Sequence, residues 1–266
     1  MHVHFLDPYQ HRVSPIHRLD PRVKFVLALA FILTAALIPP GGWPAYILLF
    51  SIILSVEVAS KLGVRYVQKR AVLAAPFVLA ALPLIFTVEG HSLASLPLGP
   101  WVLTVSLEGV ERFASIAIKS WLSVQAAIVL AASTPFPQLL AAMRAVRVPK
   151  LLVAIFGLMW RYLFVLADET LRLLRARAAR SGTADLPGVK PGGSVAWRAR
   201  VTGGMAGNLF LRAFERSDRI YMAMLSRGYD GDVRTLPLPA LRPWHRVILL
   251  VSLSFFLLLL LFSYLL

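Results

Sequence analysis

The last twenty residues, Val247 to Leu266, carry no charged side chain. A helix of about 20 apolar residues is the length that crosses the hydrocarbon core of a bilayer. Such a run cannot sit comfortably in water, and four others accompany it: Val23 to Ile38, Pro44 to Ala59, Ala71 to Val88 and Gly109 to Ala132. Pro76 and Pro83 fall inside the third run and are expected to kink it. Asp20-Pro21 makes a good start for the first, since Asp caps free backbone N–H groups and Pro tolerates the first helical position. Hydrophobic residues make up 58% of the chain and charged residues 15%. The predicted fold class is an all-α integral membrane protein with about five transmembrane helices plus cytoplasmic amphipathic helices.

Charge then orients the runs. The 28 Lys and Arg exceed the 13 Asp and Glu, giving a net charge of +15. In a membrane protein this excess marks cytoplasmic loops rather than nucleic-acid binding. The leader over 1–22 is basic, with too many polar residues and no small-x-small site for a cleaved signal peptide. The turn over 39–44 is uncharged. Lys61, Arg65, Lys69 and Arg70 make a basic loop, and the loop over 89–108 has no Lys or Arg. With the N-terminus cytoplasmic, every short basic loop falls on one side. Residues 151–167 form a sixth apolar run, but a crossing there would send the arginines of 168–245 outside. Arg161 would also lie at the span centre, at a cost of roughly 2.5–3.5 kcal/mol. The stretch 149–180 is therefore read as a cytoplasmic helix. The expected organisation is a leader over 1–22, a four-helix bundle over 23–132, a cytoplasmic coupling module over 133–245 and a final span over 246–266. Lys119 lies within a span, and two readings stay open for it: snorkelling to the outer face or pointing into the bundle.

Within the module, a short amphipathic helix is predicted over Gln138 to Val146, a Gly/Pro/Ser linker over 181–202, and a second amphipathic helix over Gly204 to Arg227. Asp168–Arg172 and Glu215–Arg219 have the spacing of favourable helix pairs. Both long helices end in a small residue, an arginine and a small residue: Ala179-Arg180-Ser181 and Ser226-Arg227-Gly228. Gly182 and Gly228 are natural helix stops. One arginine in a last turn is explained by the helix dipole, with anionic lipid as a further partner. Two matched tips also suit docking, because a guanidinium can pair bidentately with a carboxylate in a partner's groove.

Catalytic patterns are missing. The chain has no G-x-x-x-x-G-K-[ST], H-E-x-x-H, G-x-S-x-G or G-x-G-x-x-G, and no cysteine. His2 and His4 are a weak metal signal, outweighed by a polar leader. The reading is a non-enzyme with no cofactor and no metal site of its own. Trp43, Trp101 and Trp244 flank predicted spans, as interfacial anchors do.

The stretch His17-Arg18-Leu19-Asp20-Pro21-Arg22-Val23-Lys24 and the paired motifs at Arg180 and Arg227 resemble those of the transmembrane T components of energy-coupling factor (ECF) transporters. Arg212 to Gly231 (RAFERSDRIYMAMLSRGYDG) is similar to the cobalt-type CbiQ family. The resemblance runs from about residue 10 to the last span. It implies a multi-pass subunit of the cell membrane that joins an ABC ATPase dimer to a separate, cobalt-specific substrate-binding membrane subunit. Two coupling helices cross in an X, and their Arg ends dock on the ATPases. The implied docking residues are Ala179, Arg180, Ser181, Ser226, Arg227 and Gly228. Leu163, Leu166 and Leu173 on one helix, with Phe214, Tyr221 and Met224 on the other, would pack on each other or on the substrate-binding subunit. A T component for nickel or a vitamin is the alternative within the family. A stand-alone scaffold or secondary carrier without an ATPase is the alternative outside it.

Overall fold

The computed structural model describes residues 8–98, 101–180, 194–233 and 239–265. Two compact units emerge: Pro8–Val146 with Leu238–Leu266, and Arg147–Pro237. The first holds short α1 (Pro15–Arg18), α2 (Pro21–Leu37), α3 (Trp43–Ser60), α4 (Val64–Ala71), α5 (Ala75–Ala80), α6 (Leu84–Thr87), α7 (Leu107–Ser133), α8 (Phe136–Ala145) and α11 (Pro243–Leu265). The second holds α9 (Lys150–Arg180) and α10 (Val195–Leu225).

Among the described residues, five helical stretches are long and apolar enough to cross a membrane: Trp43–Ser60, Val64–Thr87, Leu107–Ser133, Lys150–Arg180 and Pro243–Leu265. The molecule is a multi-pass membrane protein. This set is not the five runs read from sequence. It includes α9, whose first half has the composition of a span, and omits α2. At 1.5 Å per residue the 17 residues of α2 reach only about 26 Å. The third run is broken where its prolines act. A 3-10 turn at Val72–Ala74 covers the carbonyl four residues before Pro76, and the helix stops again before Pro83.

Three local readings are corrected. Residues 92–106 are not an irregular loop: β1 (Ser92–Leu98) pairs antiparallel with β2 (Trp101–Ser106), aligning Leu98 with Trp101. The basic stretch at 64–70 is helical. Furthermore, α10 begins at Val195 rather than Gly204, because Ser194 caps it by accepting the Trp197 N–H at 3.2 Å. Asp20 caps α2 as expected, accepting the Arg22 N–H at 2.9 Å.

The bundle packs around α2. Phe31, Ala35, Leu49, Ile53, Leu122, Ala126 and Phe256 form one buried cluster, with Phe31 edge-on to Phe256 at 6.0 Å. The end of α2 has the usual difficulty of a helix terminus: its last carbonyls have no intrahelical donor. At the end of α2 other helices supply the donors. Lys119 of α7 donates to the carbonyls of Ala36, at 3.2 Å, and Ile38. Tyr264 of α11 donates to Leu37 at 3.2 Å, and Tyr46 of α3 to Pro39 at 2.9 Å. Lys119 thus points into the bundle.

The arrangement is reciprocal. Lys24 of α2, 7% exposed, donates to the carbonyl of Ser133, the last residue of α7, at 3.0 Å. The adjacent Ala132 carbonyl accepts the Gln10 N–H of the leader at 3.0 Å. His17 fastens that leader, pairing with the Gln10 carbonyl through Nε2 (3.1 Å) and with Ser14 Oγ through Nδ1 (2.7 Å).

Two outcomes follow from these contacts. Lys119→Met leaves two α2 carbonyls without donors and should cost about 1–3 kcal/mol, whereas Tyr264→Phe should cost about 0.5–1.5 kcal/mol. Thermal unfolding in one detergent would rank them, and equal midpoints for Lys119→Met and the parent would refute the clamp. Burial lowers the His17 pKa from the ordinary histidine value, with Lys24 and Arg12 adding to the effect. The ring is therefore more easily protonated in the unfolded leader. Its contribution is complete above about pH 6.5 and is lost as pH falls through the lowered folded value. Proteolytic release of residues 8–20 should rise between pH 7.5 and 5.5, and His17→Gln should flatten that dependence.

Candidate functional site: the α9–α10 helix pair

Both helices of the second unit are 31 residues long. Their contacts run in one antiparallel register. Lys150 pairs with Asp232 at 3.2 Å, just beyond α10. Glu169 grips Arg212 at 3.4 Å and Arg216 at 3.3 Å, and Arg177 donates to Thr202 Oγ1 at 2.9 Å. In this register Arg227 lies level with Ala154, so the Arg180 and Arg227 ends stand on the order of 40 Å apart at 1.5 Å per residue.

The end of α10 follows from local chemistry. At α10, Gly228 adopts φ 77°, a left-handed conformation that suits glycine. The Gly228 N–H reaches the Leu225 carbonyl and the Tyr229 N–H reaches the Met224 carbonyl, each at 3.0 Å. This paired closure stops the helix at Leu225 and leaves the Arg227 side chain exposed in the turn that follows. Ser226 Oγ donates to the Ala223 carbonyl at 3.0 Å. At α9, Ala179 and Arg180 are the last two described residues and are exposed. Ser181 and Gly182 lie outside the described residues. Neither Arg180 nor Arg227 enters an ion pair among the described residues.

Between the helices runs an apolar groove of about 630 Å³. Of the six packing residues read from sequence, Leu166, Tyr221 and Met224 line it, and Tyr229 folds back against the same groove. Leu173 is half-buried, and Leu163 lies on a shoulder, 39% exposed. Phe214 is 60% exposed and does not line the groove, so it does not join the others. Of the two predicted helix pairs, Glu215–Arg219 is an ion pair at 3.9 Å. Arg172 instead reaches the backbone carbonyl of Asp168 at 3.4 Å. Sequence reasoning missed Glu169. The signal was there: an acid three residues after Leu166 and four before Leu173 sits on the apolar stripe, where a charge needs partners.

A family model described as "Cobalt transport protein" (CbiQ) matches residues 12–237. The chain is 26% identical to the cobalt transport protein CbiQ of Salmonella typhimurium over 80% of its length and 91% of that protein. It is 27% identical to CbiQ of Rhodobacter capsulatus over 80% of both chains. It is 28% identical to the energy-coupling factor transporter transmembrane protein EcfT of Lactococcus lactis, covering 84% of this chain and 83% of the other.

Glu169 holds the register of the pair. Solvent-screened ion pairs are worth about 0–1 kcal/mol each, so Glu169→Ala should cost about 1 kcal/mol in stability. The larger effect should be geometric. With spin labels at 175 and 219, Glu169→Arg should broaden the distance distribution, and adding Arg212→Glu and Arg216→Glu should restore it. An unchanged distribution in the single variant would remove Glu169 from this role.

Proposed function

The chain belongs to the cobalt transport protein family, and within it we propose the role of the transmembrane coupling (T) subunit of an ECF-type importer, with cobalt ions as the cargo. The N-terminus is cytoplasmic in this reading, and α9 and α10 form the cytoplasmic coupling module. The chain hydrolyses nothing itself. An ABC ATPase dimer binds and hydrolyses ATP, and a separate membrane subunit carries the ion.

One observation carries the proposal: two exposed arginines stand at opposite ends of a single antiparallel helix pair. A two-fold partner offers two equivalent grooves, and two separated, equivalent tips match that symmetry. Each guanidinium enters one groove and pairs with a carboxylate there. Ala179 and Ser181, and Ser226 and Gly228, are small enough to let the backbone approach. Closure of the ATPase dimer on ATP then draws the two ends along with it. Because Glu169 ties the helices together, the pair moves as a rigid body. The groove containing Leu166, Tyr221 and Met224, and the exposed Phe214, are the apolar surfaces through which that motion reaches the substrate-binding subunit. The names of the CbiQ relatives support cobalt over nickel or a vitamin.

The test replaces both tips. Arg180→Glu with Arg227→Glu should abolish co-purification with the ATPase and reduce cobalt uptake at least a hundredfold, while the subunit still inserts in the membrane. A secondary carrier would take up cobalt without an ATPase, so normal uptake by the double variant would overturn the docking role.

A further inference from the structure

Glu57, in the last turn of α3, is completely buried, and neither of its carboxylate oxygens has a hydrogen-bond partner. It enters no ion pair among the described residues. A carboxylate held out of water is costly unless something answers its charge. Cations follow closely in the sequence but do not supply that answer. Lys61, Arg65, Lys69 and Arg70 are all exposed, and Arg70 stacks over the Tyr66 ring, 4.4 Å from its centre.

A second orphan oxygen belongs to the same seam. From α7, the Trp121 indole N–H and the Gln125 amide N–H both donate to Gln68 Oε1 of α4, each at 3.1 Å. An indole can only donate, so it fixes which end of Gln68 is oxygen, and Gln68 in turn fixes the nitrogen end of Gln125. Gln125, itself completely buried, is left presenting Oε1, which has no partner. Phe50 of α3 and Trp121 of α7 line one groove, and α4 packs against both helices. Glu57 lies two turns beyond Phe50 and Gln125 one turn beyond Trp121, each on the same face of its helix. The two helices run in the same direction, since Ile53 and Val56 share a further cavity with Ala126 and Val129. The carboxylate and the amide oxygen therefore enter one seam under α4, about one turn apart in level. The Tyr66 hydroxyl of α4 is also buried without a partner, so it answers neither oxygen.

Three buried acceptors with no donor call for a positive charge. One carboxylate balances one charge, so a monovalent ion leaves the site neutral. A divalent ion would carry an uncompensated charge into the bundle, and among the described residues no three His, Cys, Asp or Glu side chains gather to hold it. The last turn of α3 adds the negative end of its dipole. We infer that Glu57 and Gln125 Oε1 bind a sodium ion where α3, α4 and α7 meet. The ion ties α3 to α7 through its ligands, and Gln68 holds α4 over both. This site belongs to the membrane bundle and stands apart from the coupling role of α9 and α10.

The purified full-length protein is unfolded thermally in detergent at constant ionic strength, with sodium chloride replacing choline chloride. The parent midpoint should rise by about 4 °C or more and then saturate, as it must for a ligand bound only by the folded chain. Radioactive sodium should bind the parent with a single saturable phase. Glu57→Gln keeps the shape and removes the charge, so its midpoint should ignore sodium and its radioactive sodium binding should be lost. Gln125→Met keeps the bulk, removes the amide oxygen and keeps the test open if Glu57→Gln does not fold. It should raise the half-saturating sodium concentration about tenfold. Equal midpoints for the parent in sodium and choline, or a sodium response that survives unchanged in either variant, overturns the proposal. A parent midpoint that rises on acidification but not with sodium also overturns it, and assigns Glu57 to a bound proton.

Discussion

The end of α2 fixes the arrangement of the membrane bundle. Four consecutive carbonyls, from Ala36 to Pro39, take hydrogen bonds from side chains on three different helices. In water each donor would add little, because solvent would replace it. Together they matter more, because each donor ties its own helix to the same terminus. Lys119 therefore sets the depth of α7 against α2, Tyr264 that of α11 and Tyr46 that of α3. Lys24 sets the same pair from the other end through Ser133. A lysine at each C-terminus also meets the negative end of the partner's dipole. Two cations that look out of place in a hydrophobic sequence are what keep α2 and α7 in register.

The second unit is held differently. It has no such enclosed core, and Ala154 is the one residue of α9 that is fully buried. Its order comes from length and from ion pairs placed along a single register, chiefly the Glu169 fork. A helix pair tied at its centre by Glu169 and near its ends by Lys150–Asp232 and Arg177–Thr202 keeps one register along its length. That physical character suits a part that must transmit motion, just as the clamped bundle suits a part that must stay rigid in lipid.

The sequence made some of this legible. Apolar runs, the Asp20 cap and the two arginine-tipped ends depend on local patterns, and a local pattern survives without the fold. What stays illegible shares a cause as well. Lys119 had two readings because its role lies in carbonyls eighty residues away. The early start of α10 was hidden by the glycines at 203, 204 and 207, although the Ser194 cap outweighed them. Phe214 and Met224 are alike in being apolar, and only the register shows that Met224 lines the groove while Phe214 stays exposed. Only the position of α9 makes Glu169 meaningful.

The small-Arg-small endings show how local and functional causes converge. At Arg227 the closing hydrogen bonds need a glycine at 228, and the dipole favours a cation just past the helix end. Those needs alone would produce Ser-Arg-Gly without any partner. The same reasoning applied to Arg180 would produce a second ending, but it would not fix where that ending stands. The antiparallel register does fix it, placing the tips far apart along one pair rather than side by side. Helix-stop chemistry explains each motif separately. The spacing between them is the property that a two-fold partner would read.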